Sequence, residues 1–286
     1  MLNKKLLLFF LLVHVFYFNV VAQKELNVMT YNIRYDTPRD SLNPWSKRKD
    51  MVTSQILFHQ VDVLGVQEAL HRQMLDLQMM LPAYKSIGVG REDGKTKGEY
   101  SAIFYNTVRL KLLEGSTFWL SENPDSVGKK GWDAALPRIV TWAKFRDLKT
   151  KKTFFVFNTH FDHMGKVARR QSSKLLLEKV KNIAGKLPVI ITGDFNAHPA
   201  DEPITALTDK SIPHHFINAK EVTASPHYGP TGTSNNFGPK EVSNDPIDYI
   251  FIKNGIQVLQ HATLSQTWQG KFSSDHFPVF ARVMIK

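Results

Sequence analysis

The stretch PVIITGDFNAHP, residues 188–199, carries an apolar run into Gly193 and then presents Asp194 and Asn196. A run of this kind reads as a strand buried on both faces. An unpaired carboxylate at its end would cost several kcal/mol. Asp194 therefore needs a partner: a cation, a set of donors, or a substrate that carries a proton. The pattern recurs along the chain. Asn32 closes LNVMTYNI, Glu68 closes VDVLGVQE, His160 closes TFFVFNTH, Asp248 opens DYIFI, and Asp275 and His276 precede VFARVMI. One polar residue at a strand end is ordinary termination. Four carboxylates, two amides and two imidazoles at comparable edges imply a site, because binding residues in layered folds gather at strand ends. Oxygen donors without thiolates suit hard cations such as Mg²⁺, Mn²⁺ or Ca²⁺. Two imidazoles would admit zinc, but neither HExxH nor another paired-His spacing surrounds His160 or His276.

These residues need rigid elements behind them. The apolar patterning predicts strands over Leu26–Ile33, Val61–Gln67, Tyr84–Val89, Ser101–Tyr105, Leu110–Leu120 and Ile139–Arg146. Further strands are predicted over Thr153–Asn158, Val189–Thr192, Ile247–Ile252, Val258–Ser265 and Val279–Ile285. Helices are predicted over Lys47–Gln60, Arg72–Leu81 and Lys166–Ala184, with a short one after Pro199. Many adjacent strands with few helices argue for an α/β fold of two packed sheets with helices outside. No Pro-, Ser- or Gly-rich linker divides the chain, so residues 23–286 read as a single domain.

Residues 1–22 read as a signal peptide: Lys4 and Lys5, an apolar run from Leu6, and Val20 and Ala22 before Gln23. The expectation is a secreted or periplasmic protein of a bacterial envelope, with no stable membrane insertion after cleavage, and a monomer. The chain has no cysteine, which excludes disulfides and thiolate metal sites. Its net charge of +11 suits phosphate-bearing partners but is also ordinary for solubility. Lys166, Arg170, Lys174 and Lys181 would share one helix side, read chiefly as a solvated face.

Six blocks, in this order and spacing, resemble the endonuclease/exonuclease/phosphatase superfamily: TYNIR (30–34), VQE (66–68), NTHFDH (158–163), GDFN (193–196), IDYIF (247–251) and SDHFPV (274–279). The resemblance implies a four-layer α/β sandwich, two packed mixed β-sheets flanked by helices. It implies hydrolysis of a phosphate ester by metal-activated water, with Mg²⁺ or Mn²⁺ as cofactor. By the same resemblance Glu68 is the principal metal ligand, with Asn32 beside it and Asp275 near the ion. Asp194 would orient or deprotonate the attacking water, and Asn196 would hold that water or a phosphate oxygen. His276 would contact the scissile phosphate while Asp248 fixes its tautomer and favours its charged form. His160 would stabilise developing charge. Asp194 and His276 share the assignment of general base.

Tyr100 and Arg138 are the further candidates for substrate contact, Arg138 because a guanidinium grips phosphate with two donors. Asp162 and His163 are expected to support His160, and Thr231 and Thr233 to be loop residues. The substrate is a phosphate ester, either a small molecule such as a sugar or lipid-headgroup phosphate, or a nucleic acid. A binding module without catalysis is disfavoured by the intact set of eight residues. The loop 118–138, with Trp119, Trp132, Lys129 and Lys130, is where substrate choice would be made.

Overall fold

Side-chain alternation along the strands builds the layers. The computed structural model describes residues 25–286, so the expected signal peptide lies outside the described residues. In β1 (Glu25–Asn32), Leu26 and Val28 point into the space between two sheets, while Met29 and Tyr31 point the other way, toward helices. The first sheet continues through β2 (Val63–Ala69), β3 (Tyr84–Ile87) and β4 (Tyr100–Asn106). The outer face of this sheet is covered by α1 (Trp45–Phe58) and α2 (His71–Met80). The second sheet contains β5 (Leu110–Trp119), β6 (Ile139–Asp147), β7 (Thr153–His160) and β8 (Val189–Asp194). Its outer face is covered by α3 (Lys166–Ala184) and α4 (Glu202–Thr208). The short β9 (Ile217–Asn218) and β10 (Asp248–Lys253) complete the second sheet, and β11 (Ile256–Thr263) and β12 (Val279–Ile285) complete the first.

The two six-stranded sheets run β11-β12-β1-β2-β4-β3 and β5-β6-β7-β8-β10-β9. Both are mixed, since β1 pairs with β2 and β7 with β8 in parallel while their other pairings are antiparallel. The result is the four-layer α/β sandwich, helix–sheet–sheet–helix. Phe145, Phe154, Val156, Ile190, Ile250 and Val283 lie between the sheets with no measurable exposure. Phe157, Ile191, Phe195 and Phe251 pack against α3 and α4.

Most expected elements fall within one or two residues of the observed ones. The helix expected to start at Lys47 starts at Trp45, whose N–H donates to Asp36 Oδ1 at 3.2 Å. The strand expected to end at Asn158 runs on to His160, because the parallel pairing with β8 continues to Asp194. The helix over Lys166–Ala184 has the expected bounds and stops at Gly185, whose φ of 56° a glycine adopts without a Cβ clash.

A polar layer separates the apolar interior from one end of the sandwich. Gln67 Nε2 donates to Thr30 Oγ1 at 3.0 Å and to Asn158 Oδ1 at 2.6 Å. Asn158 Nδ2 donates across the sheets to the carbonyls of Val66 and Ala102 at 2.9 and 2.8 Å. Thr192 Oγ1 donates to Asn158 Oδ1 at 3.0 Å. Gly65 leaves the room for this network, since a Cβ there would collide with Thr192 and Asn158.

Candidate active site

The same alternation carries side chains outward to this end. Along β8 the inward positions read Ile190, Thr192, Asp194; along β7, Val156, Asn158, His160; along β1, Val28, Thr30, Asn32. Each strand passes from apolar to neutral polar to reactive. The register then sets three of these residues side by side. Asp194 lies opposite His160 on β7 and opposite Asp248 on β10.

Asp194 is fully buried yet well supplied with partners. It accepts from Asn196 N–H at 2.9 Å and from Asn32 Nδ2 at 3.0 Å. The imidazole nitrogens His160 Nε2 and His276 Nε2 lie 3.5 and 3.9 Å from its Oδ2. Burial, and then the neighbouring Asp248 carboxylate, push its pKa up to about 7.

His276 stands between two carboxylates, with Nδ1 2.8 Å from Asp248 Oδ2 and Nε2 facing Asp194. Burial disfavours its charge, but the charge of Asp248 and the hydrogen bond to it prevail and hold the imidazole well above its ordinary pKa. Asp248, Asp194 and His276 bring one ligand atom each within 4.8 Å of one another. With His276 protonated, this trio forms a proton network around the imidazolium. Thr233 departs from the plain loop role expected of it. It is buried, and its Oγ1 donates to Asp248 Oδ2 at 2.6 Å while accepting the N–H groups of Ile247 and Asp248.

His160 behaves oppositely. Burial and the guanidinium charges of Arg138 and Arg91 hold it well below its ordinary pKa, so it is neutral. Asn196 Nδ2 donates both to the Phe161 carbonyl and to His160 Nε2, each at 3.0 Å. The carbonyl fixes the amide's orientation, which makes Nε2 the acceptor and leaves the proton on Nδ1. That Nδ1 lies 3.9 Å from Glu99 Oε2.

Glu68 reaches the site through a β-bulge. Strict alternation along β2 would turn it toward α1 and α2 with Leu64 and Val66. A register shift between Val66 and Ala69, with φ of 63° at Glu68, turns it to the sandwich end instead. Its Oε2 accepts Tyr35 N–H at 3.1 Å and its Oε1 accepts Asn32 Nδ2 at 3.1 Å. Asn32 stands beside Glu68, as expected. Its Oδ1 accepts Arg34 N–H at 3.0 Å, and its amide nitrogen bridges Glu68 and Asp194. Asp275 sits across from Glu68. The Arg34 guanidinium, tethered to Asp40 at 2.9 and 3.0 Å, lies 3.9 Å from Glu68 Oε2 and 3.6 Å from Asp275 Oδ2. Two carboxylates thus converge on one positive charge.

A cavity of about 310 Å³ gathers Glu68, His160, Asp194, Asn196, Asp275 and His276 on its walls. Arg138 lines it too, anchored through Nε to Asp162 at 3.3 Å and through Nη2 to His163 Nδ1 at 2.9 Å, with a buried Nη1 that has no protein partner. Tyr100 is not among the lining residues; its hydroxyl meets His71 Nδ1 at 2.9 Å and the Lys95 carbonyl at 2.8 Å. None of the basic residues of α3 lines the cavity. Asp162 instead holds the 118–138 loop in place by accepting the N–H groups of Ala135 and Leu136.

A model of the endonuclease/exonuclease/phosphatase family matches residues 29–276. The chain belongs to that family. A solved endonuclease/exonuclease/phosphatase from Bacteroides vulgatus is 41% identical with a TM-score of 0.86, over 92% of this chain and 99% of the other. A mannosyl-6-phosphatase from Bacteroides thetaiotaomicron is 38% identical with a TM-score of 0.86, over 91% of this chain and 100% of the other. Among curated relatives, nocturnin of Drosophila melanogaster is 29% identical over 180 residues, which are 59% of this chain and 26% of nocturnin. A protein of Acanthamoeba polyphaga mimivirus is 28% identical over 60% of this chain and 66% of its own length. This chain therefore spans just under two thirds of the viral relative and about a quarter of nocturnin.

Sequence reasoning missed Arg34, Glu99 and Thr233 as members of the site. Arg34 sits inside the block TYNIR, beside Asn32, and its charge next to expected carboxylates was the available signal. Glu99 ends a Gly- and Lys-rich loop, where no apolar strand flags it.

Proposed function

We propose that this chain is an exported, divalent-cation-dependent phosphoesterase acting on a small phosphomonoester, a sugar phosphate above other classes. The observation that carries the reading is Asp194, with a pKa near neutrality, set 3.9 Å from an imidazolium held by Asp248. The similarity to a mannosyl-6-phosphatase, over nearly the full length of both chains, supports the sugar phosphate.

Glu68 and Asp275 fit a hard cation, since both are carboxylates already facing one positive charge, and they would hold Mg²⁺ or Mn²⁺. When bound, that ion supplies positive charge to offset the phosphate's own and make phosphorus more electrophilic. Asp194 takes a proton from the attacking water as its oxygen bonds to phosphorus. The ester P–O bond breaks, and His276 gives its Nε2 proton to the departing oxygen. The acid and base are then opposite members of one coupled pair, and proton return from Asp194 to His276 resets them. Asn32 and Asn196 fix the Asp194 carboxylate so that little reorganisation is needed during reaction. Arg138 would grip a substrate phosphate or hydroxyl.

The alternative is an exported nuclease. A probable RNA exonuclease of Schizosaccharomyces pombe, 25% identical over 209 residues, favours it. Purified protein with Mg²⁺ or Mn²⁺ should hydrolyse p-nitrophenyl phosphate and hexose 6-phosphates and lose that activity on chelation. Hydrolysis of oligonucleotides alone, with KM rising steeply with salt, would establish the nuclease instead.

A further inference from the structure

A second cavity lies away from the catalytic one, between the C-terminal end of α1 and the edge strand β11. Its volume is about 630 Å³, within the range of ligand sites, and it shares no lining residue with the catalytic cavity. Asn27, on its wall, precedes Asn32 by five residues of extended strand, or roughly 17 Å.

Its lining has a distinct chemistry. Phe58 is 81% exposed and Tyr228 is 69% exposed, and they are the only exposed Phe, Tyr or Trp side chains among the described residues. Both line this groove. The side-chain amides of Gln60, Gln260 and Gln266 line it too, with no Asp or Glu, while the buried Asn27 amide is taken up by the His59 and Gln60 carbonyls. The charge of the two lining histidines is suppressed. Burial lowers His59, and burial together with the neighbouring His227 pushes His261 down to about 3. Arg282 is the single cation, and its Nε donates to Asn27 Oδ1 at 3.3 Å. His59 packs edge-on at 5.2 Å from Phe58 and tilted at 5.5 Å from Phe280, which extends the aromatic surface inward.

Each candidate occupant makes a different demand on such a lining. A nucleic acid needs a track of cations for successive phosphates, and a single tethered arginine does not provide one. An anionic membrane surface asks for the same. A neutral sugar chain needs what is present: flat apolar rings to lie against its C–H faces, and amides that both donate and accept toward its hydroxyls. We propose that this groove is a non-catalytic binding site for a neutral oligosaccharide. It would hold a glycan while the catalytic cavity acts elsewhere on the same or a neighbouring chain.

Affinity electrophoresis of the purified protein tests this, in native gels containing α-mannan, dextran, xylan or a β-glucan. At least one polysaccharide should retard the wild-type protein. Phe58→Ala and Tyr228→Ala should each reduce that retardation about three- to tenfold, the range expected for one stacking platform. Circular dichroism and hydrolysis of p-nitrophenyl phosphate should be unchanged in both variants. Retardation by none of the four, or equal retardation of both variants, overturns the proposal. So does a sedimentation experiment in which Tyr228→Ala converts a dimer to a monomer without polysaccharide, since the groove would then be covered by a second copy. The gel readout does not depend on turnover, so it stands if the hydrolytic reading fails.

Discussion

Replacing Asp194 with Asn should stabilise the cation-free protein at alkaline pH relative to acidic pH while abolishing turnover. The reasoning begins from burial: taking the carboxylate out of water next to Asp248 raises its pKa from 3.8 to about 7. The folded state therefore holds a proton that the unfolded chain releases near pH 4. A group raised in this way contributes stability that is full below its unfolded pKa and is lost as pH climbs through its folded one. A tenfold difference in proton affinity between the two states corresponds to about 1.4 kcal/mol. At pH 5 the protonated carboxyl still favours the fold by about 2–3 kcal/mol over its ionised form, and by pH 8 almost nothing of this remains. The Asn variant does not titrate. It also turns one amide donor against Asn32 or Asn196, a penalty of about 1 kcal/mol that is the same at both pH values. The test is urea denaturation of both proteins at pH 5 and pH 8 in the presence of a chelator. The stability of the variant minus that of the wild type should rise by about 2–3 kcal/mol from pH 5 to pH 8. A difference that does not change with pH would refute an elevated Asp194 pKa, and with it Asp194 as a base working near neutrality.

His276→Ala and Asp248→Asn should each lower kcat about 10²–10⁴-fold, and the double variant should fall little further, because the imidazolium and its carboxylate act as a unit; strictly multiplicative losses in folded proteins would separate their roles. Glu68→Gln should raise the Mg²⁺ concentration giving half-maximal activity at least about tenfold, and calorimetry on the resting protein should show the same loss of affinity; an unchanged titration would remove Glu68 from the cation site. Gln67→Leu should cost about 1–3 kcal/mol in urea denaturation, because Thr30 and Asn158 lose a buried partner; a cost below about 0.5 kcal/mol would mean the polar layer does not hold the sheets together.

The strands were legible because most carry long apolar runs, and α3 because its apolar spacing and Gly185 mark both its face and its end. The residues of the site were legible for the same reason: Asn32, His160, Asp194 and Asp248 interrupt apolar runs, so their type is out of place in the sequence itself. Beyond the Asp248–His276 pair, which the family resemblance implied, what could not be read was what these residues do to one another. The bridging role of Asn32 depends on Glu68 turning at the bulge, and nothing in VQEAL announces a left-handed φ at a glutamate. Thr233 looked like one more polar residue of a glycine-rich loop, because its partner Asp248 is identified only by the fold. Tyr100 was expected at the site through the family resemblance, but its hydroxyl turns to His71 and the Lys95 carbonyl. Neighbours along the chain predict burial well, whereas hydrogen-bond partners come from segments far apart in sequence.

Register joins the stability of this fold to its chemistry. The inward positions of β1, β7, β8 and β10 belong both to the core and, further along, to the site, so one alternation places Ile190 in the apolar interior, Thr192 in the polar layer and Asp194 at the reacting end. A slip of one residue in β8 would expose Ile190 and Thr192 to the helix layer and point Gly193 at the substrate. The apolar cost of such a slip, roughly 1.5–3 kcal/mol for each large side chain displaced, is therefore what keeps Asp194 beside His160 and Asp248. The polar layer has a complementary effect. Gln67 and Asn158 link Thr30 and Thr192 into one hydrogen-bonded layer, while beyond it Asp194 is held by the Asn32 and Asn196 donors and His276 by Asp248. Among the three register shifts in the sheets, the bulge at Glu68 is the one at the cavity, and it falls at the residue that must leave the helix-facing side to meet Asp275 across it.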